Sequence, residues 1–388
     1  MLEHWLLDPD NTYLNHGTVG APPKRVLQKQ QTLRDEMERQ PSKFVLRELN
    51  GEHPMPWRDE SRLREAIGHI APFVGSRPED LVFVPNVTTG LNAVLRSVTL
   101  GAGDEVVLTD LGYGAVALAA RAVTRDRGAT VRTVELPHPL RDSGDVVHAI
   151  VRALTPRTKL VVVDHITAQT SLVLPVAAIA AECHARGVPV LVDGAHAPGS
   201  IALDIQATGA DWYAANLHKW AHAPRSCGIL WAKPEHQAGL HHPVVSWGAG
   251  RGFHQEFEHQ ATSDPTNYLA APEGVALLRE WDFNAVLAYM HGLALEAARV
   301  LTERWGTAVD TPRDMIGAMV TVPLPGGAGS TPDEATRLRL ALLVEDRIEV
   351  QLHAWRGCLW ARVSTQVYND LADIMRLGDA VQRRVTRA

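Results

Sequence analysis

VDGAHAPG at residues 192–199 and NLHKW at 216–220 are the stretches on which the fold turns. The first closes an apolar run, VPVLVD at 188–193, which has the composition of a strand buried on both faces. A strand of that kind delivers the Asp193 carboxylate to the C-terminal edge of a parallel sheet, where α/β proteins bind ligands. Lys219 follows 26 residues later, room for a surface segment and one returning strand. Taken singly, an aspartate at a strand end caps a turn and a lysine sits in solvent. Taken together, with His218 and Trp220 flanking the lysine, they suggest a site.

The same alternation extends in both directions. LVFVPN (81–86), EVVLT (105–109), TVRTVEL (130–136), KLVVVDH (159–165), DWYAAN and GILWA read as strands. TTGLNAVLRSVTL, GAVALAARAVTRDRG and AAIAAECHARG read as intervening helices, and Leu63, Ile67, Ile70 and Val74 fall at helical spacing ahead of the first strand. The pattern predicts a parallel-rich sheet covered by helices on both faces. Past residue 268 the character changes. One long helical region, APEGVALLREWDFNAVLAYMHGLALEAARVLTERWG, leads into a smaller α+β unit with strands MVTVPL, RIEVQL and LWARVST and helices at 332–344 and 369–385; GGAGSTPDEA reads as a loop. The expected organisation is an N-terminal segment (1–20) folded back near the site, a large α/β domain (21–267) and a small C-terminal domain (268–388).

Composition narrows the function classes. The chain has 388 residues, 45% of them hydrophobic, enough for one large core and a second smaller one. A net charge of −6 with both signs interspersed offers no basic stripe for nucleic acid. No apolar run is long enough to span a bilayer, and the opening residues are acidic where a signal peptide needs a basic head. Three cysteines, with no CxxC pair, fit a reducing compartment, so the expected location is cytoplasmic. Eighteen histidines are scattered, and the adjacent pair His241-His242 lacks ligand spacing, so no metal is expected.

A lysine flanked by His218 and Trp220, a strand-end carboxylate and a candidate anion-binding segment match the needs of pyridoxal 5′-phosphate (PLP). The aldehyde needs an amine, and partial burial makes a lysine available as the neutral base. The pyridine nitrogen must keep its proton for the ring to act as an electron sink, which calls for a facing carboxylate, Asp193. The phosphate needs donors at a helix start, and Asn86-Val87-Thr88-Thr89-Gly90 joins a strand to a helix. That segment alone reads equally well as an N-cap.

With YLNHG (13–17), NVTTGLN (86–92), DGAHAPG, NLHKW, VSWG (245–248) and RVSTQVYN (362–369) in this order, the chain resembles the class V aminotransferase family of PLP fold type I, nearest its isopenicillin N epimerase-like branch. The resemblance implies a homodimer with shared active sites. Lys219 would carry the cofactor as a Schiff base and shuttle the proton. Asp193 would hold the pyridinium, His196 would reach the ring's 3-oxygen, and Ala195 would lie beneath the ring. Thr88 and His218 would contact the phosphate, with the Thr89 backbone close by. Tyr113 would stack over the ring, Thr262 would reach the neighbouring subunit's phosphate, and Arg362 would grip the substrate α-carboxylate. Asn15 and His16 would line the substrate side, or simply form a turn.

The expected activity is at the α-carbon of an amino acid or an amino-acid-containing peptide, by epimerisation through a quinonoid intermediate. C–S β-elimination, cysteine desulfuration and transamination are the alternatives, and a non-catalytic sensor or assembly protein the remote one. Desulfuration is disfavoured. Cys358 lies four residues before Arg362 on one expected strand, and Cys183 and Cys227 fall in a helix and a strand. Ala168 and Ser171 in HITAQTS depart from the desulfurase and epimerase patterns respectively.

Overall fold

The computed structural model describes residues 1–51 and 55–387. Strands β2 (Leu81–Val84), β3 (Glu105–Thr109), β4 (Thr130–Val134), β5 (Thr158–Asp164), β6 (Val190–Gly194), β7 (Trp212–Asn216) and β8 (Gly228–Ala232) form a seven-stranded sheet ordered β2-β8-β7-β6-β5-β3-β4. β8 alone runs against the rest. Between the strands lie α1 (Lys24–Arg39), α2 (Arg62–Ile70), α3 (Val87–Ser97), α4 (Gly114–Asp126), α5 (Gly144–Ala153) and α6 (Val176–His184). Every residue of β6, β7 and β8 is buried, as two helical layers require. Each fully buried aliphatic side chain of these strands contributes roughly 1.5–3 kcal/mol.

A second core lies in the C-terminal part. α7 (Ala271–Glu280) and α8 (Phe283–Trp305) lead to β9 (Met319–Pro323), α9 (Pro332–Glu345), β10 (Ile348–Glu349), β11 (Gln351–Trp355), β12 (Cys358–Ser364) and α10 (Leu371–Arg387). β9, β11 and β12 form an antiparallel sheet ordered β11-β12-β9, packed with α8, α9 and α10.

Three expectations need correction here. The long helical region is two helices, because Asp282 adopts φ 58° and its side chain caps Asn284 and Ala285, starting a new helix. RIEVQL is two short strands rather than one. Ile348–Glu349 pairs in parallel with β1 (Thr12–Tyr13), while Gln351 onward joins β12. The loop GGAGSTPDEA already contains the start of α9, where Thr331 and Glu334 form a capping box.

Candidate active site

The C-terminal ends of β3, β5, β6 and β7 converge on a cavity of about 610 Å³. Thr88, Tyr113, Asp193, Ala195, His196, His218, Lys219 and Arg362 line it together, although Thr88 and Arg362 lie 274 positions apart in the chain. Asn15, His16, Thr89 and Thr262 are not on its wall.

Lys219 sits in the turn between β7 and β8. Gly20, at φ 66°, and Gly199, at φ 91°, hold that turn closely, since a Cβ on them would fall 2.0 Å from the His218 carbonyl oxygen and 2.3 Å from that of Trp220. Trp220 is fully buried, anchoring the lysine's backbone. Lys219 Nζ lies 3.2 Å from His196 Nε2. Burial first, then the Arg362 charge, lowers the ammonium pKa to about 8, against the pull of Asp193 and Asp164. A lysine so placed supplies free amine near neutral pH.

Asp193 is only 3% exposed. Its Oδ1 accepts from the Ala195 N–H at 2.9 Å, and its Oδ2 has no protein partner among the described residues. Burial pushes its pKa up to about 6, with the Ala195 N–H and Lys219 opposing. An orphaned, buried carboxylate oxygen facing a cavity is costly unless a ligand cation satisfies it.

The start of α3 offers the anion site, in part. Asn86 Oδ1 caps it, accepting from the Thr89 N–H at 3.0 Å and from its hydroxyl at 3.3 Å, so Thr89 is turned inward. The Val87 N–H donates to Asn216 Oδ1 at 2.9 Å. The Thr88 hydroxyl has no protein partner among the described residues and faces the cavity. His218 Nδ1 donates to the Cys227 carbonyl at 2.8 Å, which fixes the tautomer and leaves Nε2 as the other ring nitrogen. For Nε2 to donate as well, the ring must be protonated. Burial lowers its pKa to about 4, and a phosphate dianion would raise it again.

Arg362 is buried, and among the described residues no carboxylate pairs with it. Nη2 donates to Thr18 Oγ1 at 2.6 Å and Asn15 Oδ1 at 3.2 Å, Nη1 donates to the Ala168 carbonyl, and Nε is unpartnered. Asn15 therefore acts through the arginine, while its Nδ2 is held by Glu349 at 2.8 Å. A buried guanidinium aimed at a cavity without a counter-ion is suited to a ligand carboxylate.

His16 lies behind the lysine instead of beside a substrate. Its Nε2–H donates to the Lys219 carbonyl at 3.0 Å, and Nδ1 accepts from the Tyr368 hydroxyl at 2.9 Å. Burial lowers its pKa to about 4, consistent with this neutral tautomer. Tyr113 precedes α4 with its ring 48% exposed over the cavity. Thr262 lines a separate, largely apolar cleft of about 690 Å³ with Tyr268, Phe257 and Trp247. Asp164, Asn216, Thr18 and Gln169 also line the cavity and were not singled out from sequence. Asp164 ends an apolar strand just as Asp193 does, a signal present in KLVVVDH.

These features fit PLP: an amine at Lys219, an orphan carboxylate oxygen at Asp193, and a free hydroxyl and imidazole at the phosphate end. The model of the family described as aminotransferase class-V matches residues 23–377. The chain belongs to that family. It is 35% identical to the isopenicillin N epimerase of Amycolatopsis lactamdurans, covering 97% of this chain and 96% of that protein. It is 30% identical to putative L-cysteine desulfhydrase 1 of Oryza sativa subsp. japonica, covering 96% and 83%. Among solved structures it resembles the cystine C–S lyase C-DES in complex with its product cysteine persulfide, with a TM-score of 0.80, 24% identity and 96% and 97% coverage.

Proposed function

We propose that this class-V chain is a PLP-dependent enzyme that epimerises the α-carbon of an amino acid or an amino-acid-containing peptide. One observation carries the choice of epimerisation: two proton-bearing side chains flank the cavity. In the sheet order β7-β6-β5-β3, Lys219 follows β7 and Tyr113 follows β3, on either side of Asp193 and Asp164. The bound cofactor supplies an electron sink for the pair left when the Cα–H bond breaks. Arg362 holds the α-carboxylate and fixes which face of Cα each base meets. Lys219, with its pKa lowered to about 8, takes or returns the proton on its side. The Tyr113 hydroxyl, a donor and an acceptor, serves the other. Thr88 and His218 hold the phosphate, and Asp193 the charge on the ring nitrogen. The similarity to isopenicillin N epimerase supports the same choice.

A second reading, C–S β-elimination, has its own support. It needs one base, Lys219, and the rice relative carries a desulfhydrase name. A persulfide route lacks its nucleophile: none of Cys183, Cys227 or Cys358 lines the cavity, and burial raises the pKa of all three. Incubating the loaded enzyme in D2O with each enantiomer of cysteine, other amino acids and isopenicillin N separates the readings. Epimerisation gives Cα deuteration with inversion, and Tyr113→Phe lowers inversion by about 100-fold or more while exchange without inversion survives. Sulfide and 2-oxo acid with no inversion would replace epimerisation by elimination.

The assembly we propose is a cytoplasmic homodimer. Val245 and Trp247 are 85% and 81% exposed beside the Thr262 cleft, an apolar face suited to a second copy. Thr262 lies off its own chain's cavity, consistent with service to the partner. Trp247→Asp is expected to weaken the dimer by at least about 30-fold, read by sedimentation equilibrium in an ultracentrifuge, in line with a buried aromatic anchor worth ~2 kcal/mol. An unchanged dimer constant would place the interface elsewhere. Among the described residues no helix is long and apolar enough to cross a membrane.

A further inference from the structure

The mechanism above uses one buried carboxyl and leaves another without a role. Asp164 ends β5 and Asp193 lies on β6, in register as Cα partners on parallel strands, so their side chains leave the same face of the sheet side by side. Both line the cavity, and both are buried, at 6% and 3% exposure. Among the described residues neither makes an ion pair, whereas most other buried acids do: Glu105, Asp211 and Glu48 each hold an arginine or lysine. A pyridinium would satisfy Asp193 Oδ2 and leave the second charge unmatched.

We propose that Asp164 shares one proton with Asp193, so that the pair faces the pyridine nitrogen as a single negative charge. This rests on the reading that the cavity takes PLP. Two like charges on neighbouring strands, out of water, do not both ionise; one proton stays with the pair. The groups around Asp164 decide where it stays. From β6 comes Asp193, from the turn after β7 Lys219, and from the turn before α4 the Tyr113 N–H. From β3, Thr109 Oγ1 is buried without a partner among the described residues; the position a Gly112 Cβ would take is 3.7 Å from it and 3.4 Å from Asp164 Oδ2. Facing Asp193 are the Ala195 N–H, Lys219 and the buried Tyr213 phenol, whose hydroxyl is held by His165 Nδ1 at 2.7 Å. His196 and Arg362 stand nearby through their effect on Lys219 and each other. Burial and the Asp193 charge both raise the Asp164 pKa, while Asp193 keeps its N–H donor and its open oxygen. Asp164 is therefore the proton's main holder and Asp193 the acceptor that meets the ring. As a neutral acid, Asp164 is a positioning residue: it supports Asp193 without competing for the ring's proton.

The test uses cofactor-free and cofactor-loaded protein, with Asp164→Asn as the neutral isostere. Infrared difference spectroscopy of the cofactor-free protein at neutral pH, wild type minus D164N, is expected to show the carbonyl stretch of one buried protonated carboxylic acid that D164N lacks. The band should persist when PLP is added. The pair also affects stability. Raised carboxyl pKa values mean that the native state binds more protons than the unfolded chain above the usual carboxylate range. The pair's own contribution, read as wild type minus D164N in the cofactor-free state, should fall as pH rises from about 4 through about 6 and beyond. If D164N does not fold, 13C-carboxyl aspartate NMR of the wild type reads the same proton. A band unchanged in D164N, or a pair fully ionised at neutral pH, overturns the proposal. Failure to take up PLP with the band present would instead overturn the cofactor reading and leave the proton pair standing.

Discussion

Lys219→Ala is expected to lower turnover by more than about 10⁴-fold and to abolish covalent capture of the cofactor, with the far-ultraviolet circular dichroism unchanged. The size of the effect follows from what Lys219 does alone. Among the described residues lining the cavity it is the one amine, and burial beside Arg362 brings its pKa to about 8. Truncation removes both the group that links the cofactor and the base on that side of Cα. Arginine cannot substitute, because a guanidinium does not release its proton. Small primary amines added to the alanine variant should restore part of the activity, since the space the side chain vacates opens into the cavity. The backbone of residue 219 is held independently by His16 and by its buried neighbour Trp220, so the turn should survive the change. Full activity in Lys219→Ala would remove the lysine from the chemistry.

Arg362→Ala should lower kcat/KM by roughly 30- to 1,000-fold, the equivalent of about 2–4 kcal/mol for a charge-assisted contact formed out of water. The loss should fall on carboxylated substrates. An amine analogue lacking the α-carboxylate should react at a similar rate with either enzyme, and that comparison separates carboxylate binding from general damage. Arg362→Lys should recover little. Asn15, Thr18 and the Ala168 carbonyl are placed for a planar fork, and an ammonium cannot meet all three and a carboxylate together. Stability should move little, because among the described residues this buried cation has no carboxylate partner to lose. Equal losses on carboxylated and decarboxylated substrates would mean that Arg362 organises the N-terminal segment and does not bind substrate.

The large sheet was legible because parallel strands covered on both faces must be apolar along their whole length. VPVLVD and KLVVVDH announce themselves, and their last residues mark the site. What escaped was long-range pairing. Nothing in Thr12-Tyr13 says that they will pair with Ile348-Glu349, yet that pairing, with the Asn15–Ser364 bridge, brings Asn15 and Thr18 to Arg362. The break at Asp282 was missed for a different reason. Apolar periodicity runs across it, and the positive φ that divides α7 from α8 leaves no trace in hydrophobicity. Within the site, residues at strand ends were found and residues acting through others were misplaced. His16 shows this best: a histidine near a conspicuous motif reads as a ligand, and only the fold reveals that both its nitrogens are engaged by Tyr368 and the Lys219 carbonyl. Asp164 was overlooked although it ends its strand as Asp193 does, because one carboxylate already satisfied the ring nitrogen.

The measurement closest to the centre of the account is an absorption spectrum of the purified protein with PLP, before and after borohydride reduction, followed by peptide mapping. The account predicts a visible band that collapses on reduction and a pyridoxyl group fixed on the peptide containing Lys219. No band with added PLP, or a pyridoxyl group on another lysine, would contradict it.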